Sequence, residues 1–256
     1  MMMRGLLRAL LALLVAAATA FAVVSIAPAS VAGWAVSRAS PATLRLTDTD
    51  GTLRNGRGRL SDAAGRWSLP LAWTLDGSEL WRGALIVHVG GSAADLVHGT
   101  LRATPSTLRA TGFEARLPAS MATNFLPPGI ALAFGGNVVV SAPDFAIDSH
   151  ADGFASAGHA SASWSPARMA DAAGNAIDLG TLTADANAAG GRVDVELANA
   201  GGDTAIAGGV HVAGERVDAD VTLTPRGAPP PLLHSLASFG TATASGGTRF
   251  SYHGTH

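Results

Sequence analysis

Arg192-Val193-Asp194-Val195-Glu196-Leu197 decides the fold. Its apolar residues take every second position and its charges the positions between, the period of a strand with one face in a core and the other in water. Val217-Asp218-Ala219-Asp220-Val221-Thr222-Leu223-Thr224 alternates in the same way. So do Phe113, Ala115 and Leu117 against Glu114, Arg116 and Pro118, and Leu85, Val87 and Val89 against Ile86 and His88. Between such runs stand Gly90-Gly91, Gly190-Gly191, Gly201-Gly202 and Ala213-Gly214, whose glycines accept the positive φ of tight hairpins. A rhythm this short means antiparallel pairing of sequence neighbours. The expected fold class is mainly β, a twisted antiparallel sheet of half-barrel or sandwich-like form.

Two stretches break the rhythm. Pro118 to Pro128 reads as a short helix or loop and a crossover. Ala228 to Gly240 reads as a brief helix behind three prolines, with Leu232, Leu233, Leu236 and Phe239 as a packing stripe and Gly240 as its stop. The order of strands and turns from Leu80 to Pro118 is repeated from Arg192 to Pro225, so two similar halves are expected, about 43–142 and 154–252.

Upstream, Arg4 and Arg8 precede a charge-free run from Ala9 to Ala27. Such a run is about long enough to cross a hydrocarbon core of roughly 30 Å as a helix, and the basic residues on its short side orient Met1 to the cytoplasm. Residues 1–32 are therefore expected to form a cytoplasmic tip and transmembrane anchor. Ser30-Val31-Ala32 also suits cleavage of a signal peptide, but the run exceeds the usual apolar region of one. On either reading residues 33–256 are exported, and the retained anchor makes the chain a single-pass inner-membrane protein with its bulk in the periplasm. Trp34 falls where an indole sits at the headgroup belt.

Composition narrows the function. The chain has 17 basic residues, all Arg, against 19 acidic ones, for a net charge of −2, so it lacks the basic face a nucleic-acid partner requires. With no Cys, disulfides and thiolate metal sites are excluded. Asp148, His150 and Asp152 could align on one strand face as oxygen and nitrogen ligands, but a solvated turn explains them better. His88, His98 and His211 lie inside strand patterns, where a hydrogen-bonded imidazole is commoner than a general base. There is no Gly-x-Ser-x-Gly elbow, and the Gly-rich segments do not lead from strand into helix as a phosphate cradle does. No enzyme activity, cofactor, metal or small-molecule substrate is expected.

Residues 51 to 83 carry a resemblance. Gly51-Thr52-Leu53-Arg54-Asn55-Gly56-Arg57-Gly58 is followed by Leu69-Pro70-Leu71-Ala72-Trp73-Thr74-Leu75 and by Leu80-Trp81-Arg82-Gly83. Further on come Gly158 to Arg168 with Trp164, Leu179-Gly180-Thr181-Leu182, Gly208 to Leu223, and a Pro-rich helix before Gly246-Gly247-Thr248-Arg249. In this order the chain resembles the N component of the type II secretion system, the general secretion pathway protein N family. It departs from that family at Arg54, where a Trp is frequent, so a packing role there is in doubt. Gly51, Thr52, Leu53, Gly56, Trp73, Leu80, Gly83 and Trp164 are its structural motif residues, and Trp67, Trp73, Trp81 and Trp164 are expected to fill a core otherwise made of Ala, Val and Leu. The resemblance implies a non-enzymatic part of the machinery that exports folded proteins across the outer membrane. Its partners would be the inner-membrane platform or the secretin, met by sheet-edge pairing or an apolar groove. An anchored lipid-binding or envelope-biogenesis module is the alternative, since a one-sided apolar sheet suits either a packed core or a greasy groove.

Overall fold

The computed structural model describes residues 27–39, 44–62, 65, 67–90, 96–125, 131–150, 153–214, 216–244 and 246–255. Arg4, Arg8 and the apolar run to Ile26 lie outside them. No described helix is long and apolar enough to cross a membrane. The chain divides into two compact units at residues 95/96.

The first unit opens with a helix over Ser30–Ala39, followed by β1 (Leu44–Gly51), β2 (Asn55–Asp62), β3 (Ser68–Asp76), a 3-10 turn at Leu80–Arg82 and β4 (Leu85–Val89). The strands pair in sequence order, each antiparallel to the next. The helix lies along β1, close enough that a Cβ on Gly33 would sit 2.8 Å from the Leu46 carbonyl oxygen. Its entry is tied to the β1–β2 turn by two backbone bonds, Ala29 N–H to Gly51 O at 3.1 Å and Leu53 N–H to Ala27 O at 2.7 Å.

The second unit holds β5 (Val97–Ala103), β6 (Thr107–Pro118), β7 (Leu132–His150), β8 (Gly153–Asp171), β9 (Ala176–Ala189), β10 (Arg192–Ala200), β11 (Thr204–Ala213), β12 (Arg216–Pro225), β13 (Thr241–Ala242) and β14 (Thr248–Thr255). They form one antiparallel sheet in which only the last step leaves sequence order, β14 lying beside β12 and β13 outside β14. The class expected from alternation holds: the chain is mainly β and its sequence neighbours pair. Because these strands share one sheet, a sandwich of two stacked sheets is not what this unit builds. Ala119–Phe125 is a 3-10 stretch, but β6 and β7 on either side pair with each other, so it returns the chain to the adjacent strand and is no crossover.

The alternation that reads as a strand is realised residue by residue. Along β10 the charges Arg192, Asp194 and Glu196 are exposed and Val193, Val195 and Leu197 are half-buried. The fully buried part is local. Leu232 and Leu233, on a helix over Pro231–Ala237, pack with Ala167, Ile177 and Leu179, ringed by Trp164, Leu182, Ile206 and Leu223. Phe239, assigned to the same stripe, is 79% exposed, because the helix ends at Ala237 and releases it. Trp81 also departs from expectation. It is 76% exposed on the 3-10 turn with the Arg82 guanidinium 4.3 Å from its ring centroid, whereas Trp67 and Trp73 are buried.

Replacing Val195 or Val221 with Asp should lower the unfolding free energy of the full chain by about 2 kcal/mol, through a charge forced onto the apolar face. Asp194→Asn and Asp218→Asn should change it by no more than about 0.5 kcal/mol. Urea unfolding followed by tryptophan fluorescence measures both, and equal losses on the two faces would refute the assignment.

Candidate functional site

The motif segment of the first unit is a turn built around one indole. Gly51 has φ +91°, a left-handed value that favours glycine, and it lies opposite Gly56 in the β1–β2 register. Within the turn Thr52 N–H donates to the Asn55 carbonyl at 2.8 Å, and Asn55 N–H donates to Thr52 Oγ1 at 3.0 Å. Leu53 thus holds its carbonyl toward Trp73, whose Nε1–H donates to it at 2.9 Å. Gly56 makes this possible. A Cβ there would stand 2.4 Å from Trp73 Cζ2 and 2.8 Å from the Thr52 carbonyl oxygen, so the ring lies directly on the glycine backbone. Leu80 and Gly83 belong to the next turn, where Gly83 at φ 73° closes the 3-10 helix by donating to the Leu80 carbonyl.

Over the same strands is an open cleft of about 660 Å³ lined by Asp50, Gly56, Arg57, Gly58, Leu71 and Trp73 among others. Its charges are spent on one another. Arg57 Nε–H donates to Asp50 Oδ2 at 3.0 Å, and that hydrogen bond holds the Asp50 carboxyl below its usual range. Arg59 and Asp48 stand 3.6 Å apart. Arg54 is exposed and contributes its carbonyl, which accepts from Leu75 N–H at 2.7 Å, so no packing role falls to it.

In the second unit Trp164 donates its Nε1–H to the Gly135 carbonyl at 2.7 Å and meets Phe134 edge-on, with ring centroids 5.8 Å apart. The solvent face of this sheet carries a feature no single strand reveals. Asp144, His159, Asn187, Asp194, His211, Asp218 and His253 occupy one line of mutual register from β7 to β14. His211 Nδ1 bonds Asp194 at 2.7 Å, His253 Nδ1 bonds Asp218 at 2.8 Å, and His159 Nδ1 bonds Asn187 Oδ1 at 3.1 Å. Each imidazole has its own acceptor, and the groups line up along the sheet without converging. Among the described residues no three acidic or imidazole side chains are grouped to hold a metal ion. Asp148 accepts from Thr107 Oγ1; Asp152 and the His150 side chain lie outside the described residues.

The remaining candidate is an edge. β13 covers β14 only at Thr248 and Arg249. Thr243 N–H donates to the Gly247 carbonyl on that side, so by the two-residue period Ser251 and His253 also direct their backbone N–H and C=O outward, beyond the end of β13.

Comparison with known families matches residues 42–251 to type II secretion system (T2SS), protein N. The chain belongs to that family. In this member the family-like segments Gly51–Gly58 and Leu69–Leu75 are the two sides of the Trp73 bracket. No curated protein and no solved structure gave a match.

Gly56→Ala should cost the family fold about 2 kcal/mol, because the new methyl meets backbone and indole and neither can retreat freely. Thermal unfolding checks this, and an unchanged midpoint would show that the ring has room. Acid provides a second measurement. Hydrogen bonds from Arg57, Arg109 and Arg249 lower the carboxyl groups of Asp50, Asp144 and Asp220. Their contribution to stability is fully present above about pH 4, the ordinary carboxyl value, and is lost as pH falls through the lower folded values. These pairs should add no slope to the midpoint between pH 7 and 5. Replacing the three aspartates with Asn should flatten the acid limb, by a small amount because all are exposed.

Proposed function

We propose that this chain is a single-pass inner-membrane component of the type II secretion system with its bulk in the periplasm, working by protein–protein contact and not by catalysis. The observation that carries the reading is the family match over residues 42–251, and the open outer side of β14 supplies a means of contact. An extended segment of the inner-membrane platform or of the secretin would add beside Ser251 and His253, gaining main-chain hydrogen bonds that the edge leaves free. The uncharged run behind Arg4 and Arg8 supports the anchor. So does Trp34, 64% exposed with the Arg38 guanidinium 6.0 Å from its ring, an arrangement suited to a headgroup layer. Trp81, exposed on its own turn, is the kind of side chain that anchors interfaces.

Deleting the gene should leave cargo proteins folded in the periplasm and reduce their release. Ser251→Pro should reduce release as well while leaving the thermal midpoint nearly unchanged, since proline removes an outward N–H that β12 does not use. Cross-links from position 251 should capture another secretion component. Normal release in the deletion strain refutes the role; normal release with Ser251→Pro refutes the edge.

A further inference from the structure

One end of the first unit gathers features that the sheet itself does not use. The β1–β2 turn is there, and beside it the entering chain: Pro28 bridges Thr52, Ala29 N–H donates to the Gly51 carbonyl and Leu53 N–H to that of Ala27. The uncharged run that ends at Ala27 thus joins the fold without a linker. The β3–β4 connection is at the same end, because Leu75 N–H donates to the Arg54 carbonyl and Asp76 faces Ile86 one residue further out. Two strand spacings, roughly 10 Å, separate the two turns. The β3–β4 connection carries Leu80, Trp81 and Arg82 on its 3-10 turn, all of them exposed. At the opposite end, where β2 turns back into β3, Trp67 and Leu69 are buried instead.

Reach sets what this end meets, given the anchor proposed above, on which the present inference rests. As a helix at about 1.5 Å per residue, Ala9 to Ala27 covers roughly 28 Å of a hydrocarbon core of roughly 30 Å, which brings Ala27 to the outer boundary of that core. The headgroup layer beyond is roughly 5–8 Å deep on each side. The 3-10 turn projects from the sheet at this level, and its side chains are those the layer favours. An indole has an apolar body and a single N–H, and sits where hydrocarbon gives way to headgroups. The Arg82 guanidinium is 4.3 Å from the Trp81 ring centroid, so the pair can enter together, charge toward phosphate and ring toward acyl chains. Net charge does not drive the contact. Arg54 and Arg82 are matched at this end by Asp76 and Glu79, and the Asp76 carboxyl accepts Ser78 N–H at 2.8 Å.

We propose that the Leu80-Trp81-Arg82 turn is a second membrane contact, resting among the zwitterionic headgroups of the bilayer that holds the anchor. A single helix entering at Ala27 leaves the first unit free to tilt about that point. Trp34, one helical turn beyond Ser30 and roughly 6 Å from it along the axis, is too close to the entry to prevent this. Trp81, roughly 10 Å to the side, is the lever that does, and it stands the strands of this unit away from the bilayer. A protein is the weaker occupant, since it would have to displace headgroups from an end that the chain itself holds against them, and the turn offers a short ridge and no groove. This contact is separate from the β14 edge.

The chain has no Cys, so a nitroxide can be placed at one position at a time. The full chain is reconstituted in phosphatidylcholine vesicles with the label at Leu80→Cys or, as control, at Ser68→Cys, exposed at the start of β3 and roughly 27 Å along that strand from Asp76. Power-saturation EPR should show the Leu80 label losing most of its collisions with an aqueous nickel chelate and gaining collisions with oxygen, while the Ser68 label behaves as in water. Trp81→Glu in the Leu80→Cys chain should return the label to the Ser68 level with the thermal midpoint unchanged, because Trp81 is exposed and supports no core. Adding phosphatidylglycerol or raising the salt should change neither result. Equal accessibility at the two positions, in a chain that resists carbonate extraction, overturns this contact and leaves the anchor standing. A chain that carbonate releases from the vesicles overturns the anchor and the contact with it. Protection that needs phosphatidylglycerol, or that arises only in native membranes holding other secretion components, assigns the turn to an anionic lipid or to a protein and overturns the proposal.

Discussion

Backbone pairing between sequence neighbours is the constraint on which the rest of this protein depends. The second unit buries few large side chains completely, chiefly Ile177, Leu179 and Leu232 at one end, so its strands persist because each finds its hydrogen-bonding partner in the next. Where the ladder is interrupted, a side chain takes over its work. At the β1–β2 turn the donor is the Trp73 indole, which satisfies the Leu53 carbonyl. At the β10–β11 turn it is the Asn199 amide, which reaches the Leu179 and Thr204 carbonyls at 2.7 and 2.8 Å and accepts from Ile206 N–H. Thr204 Oγ1, buried on the apolar side of β11, is by contrast left without a hydrogen bond.

A meander also sorts its side chains. Since neighbouring strands are in register, residues of one parity share a face across many strands, and a charge in one strand meets a charge in the next at about 4.5–5.5 Å between Cβ atoms. The Asp and His line is a product of this sorting, and so are the apolar rows behind it. Alternating acceptors and imidazoles avoids like charges directly opposite one another along that line. One line over, Asp185 faces Glu196 directly, and Gly209 follows in place of a further charge. Parity thus sets the face on which a charge lies, while that like-charge pair shows that it does not set the charge opposite.

This explains what the sequence disclosed and what it withheld. Alternation at Arg192–Leu197 and Val217–Thr224, with glycine pairs between runs, is a local property, and the strands and their antiparallel pairing follow from it directly. The motif Gly51, Thr52, Gly56 and Trp73 could be recognised, but its geometry depends on a contact across 17 positions, from Gly56 to the Trp73 ring, that no local pattern encodes. Trp81 was expected inside because aromatic residues usually are. Its place on a 3-10 turn of three residues gives it no face to bury, a fact set by where β3 ends. Phe239 failed for the same reason, lying two residues past the helix whose period it follows. The Ser30–Ala39 helix was missed because small residues, Trp34 and Arg38 offer weak amphipathic contrast; its packing on β1 rests on the bare backbone of Gly33.

The outer sides of β1 and β14 deal with an unpaired strand edge in different ways. Unpaired strands invite indiscriminate addition, and the outer side of β1 is occupied by a helix that approaches to within van der Waals distance. The outer side of β14 has only the two residues of β13 against its first turn of ladder. What stays open is short, from Phe250 to Thr255. Gly254 interrupts it, and His253 is tied to Asp218 on the neighbouring strand. A segment of that length is too brief and too polar on one side to template extended aggregation, yet long enough for a partner strand to form several main-chain bonds. If a partner strand adds there as proposed, its specificity would rest on the side chains it places opposite Ser251 and Tyr252.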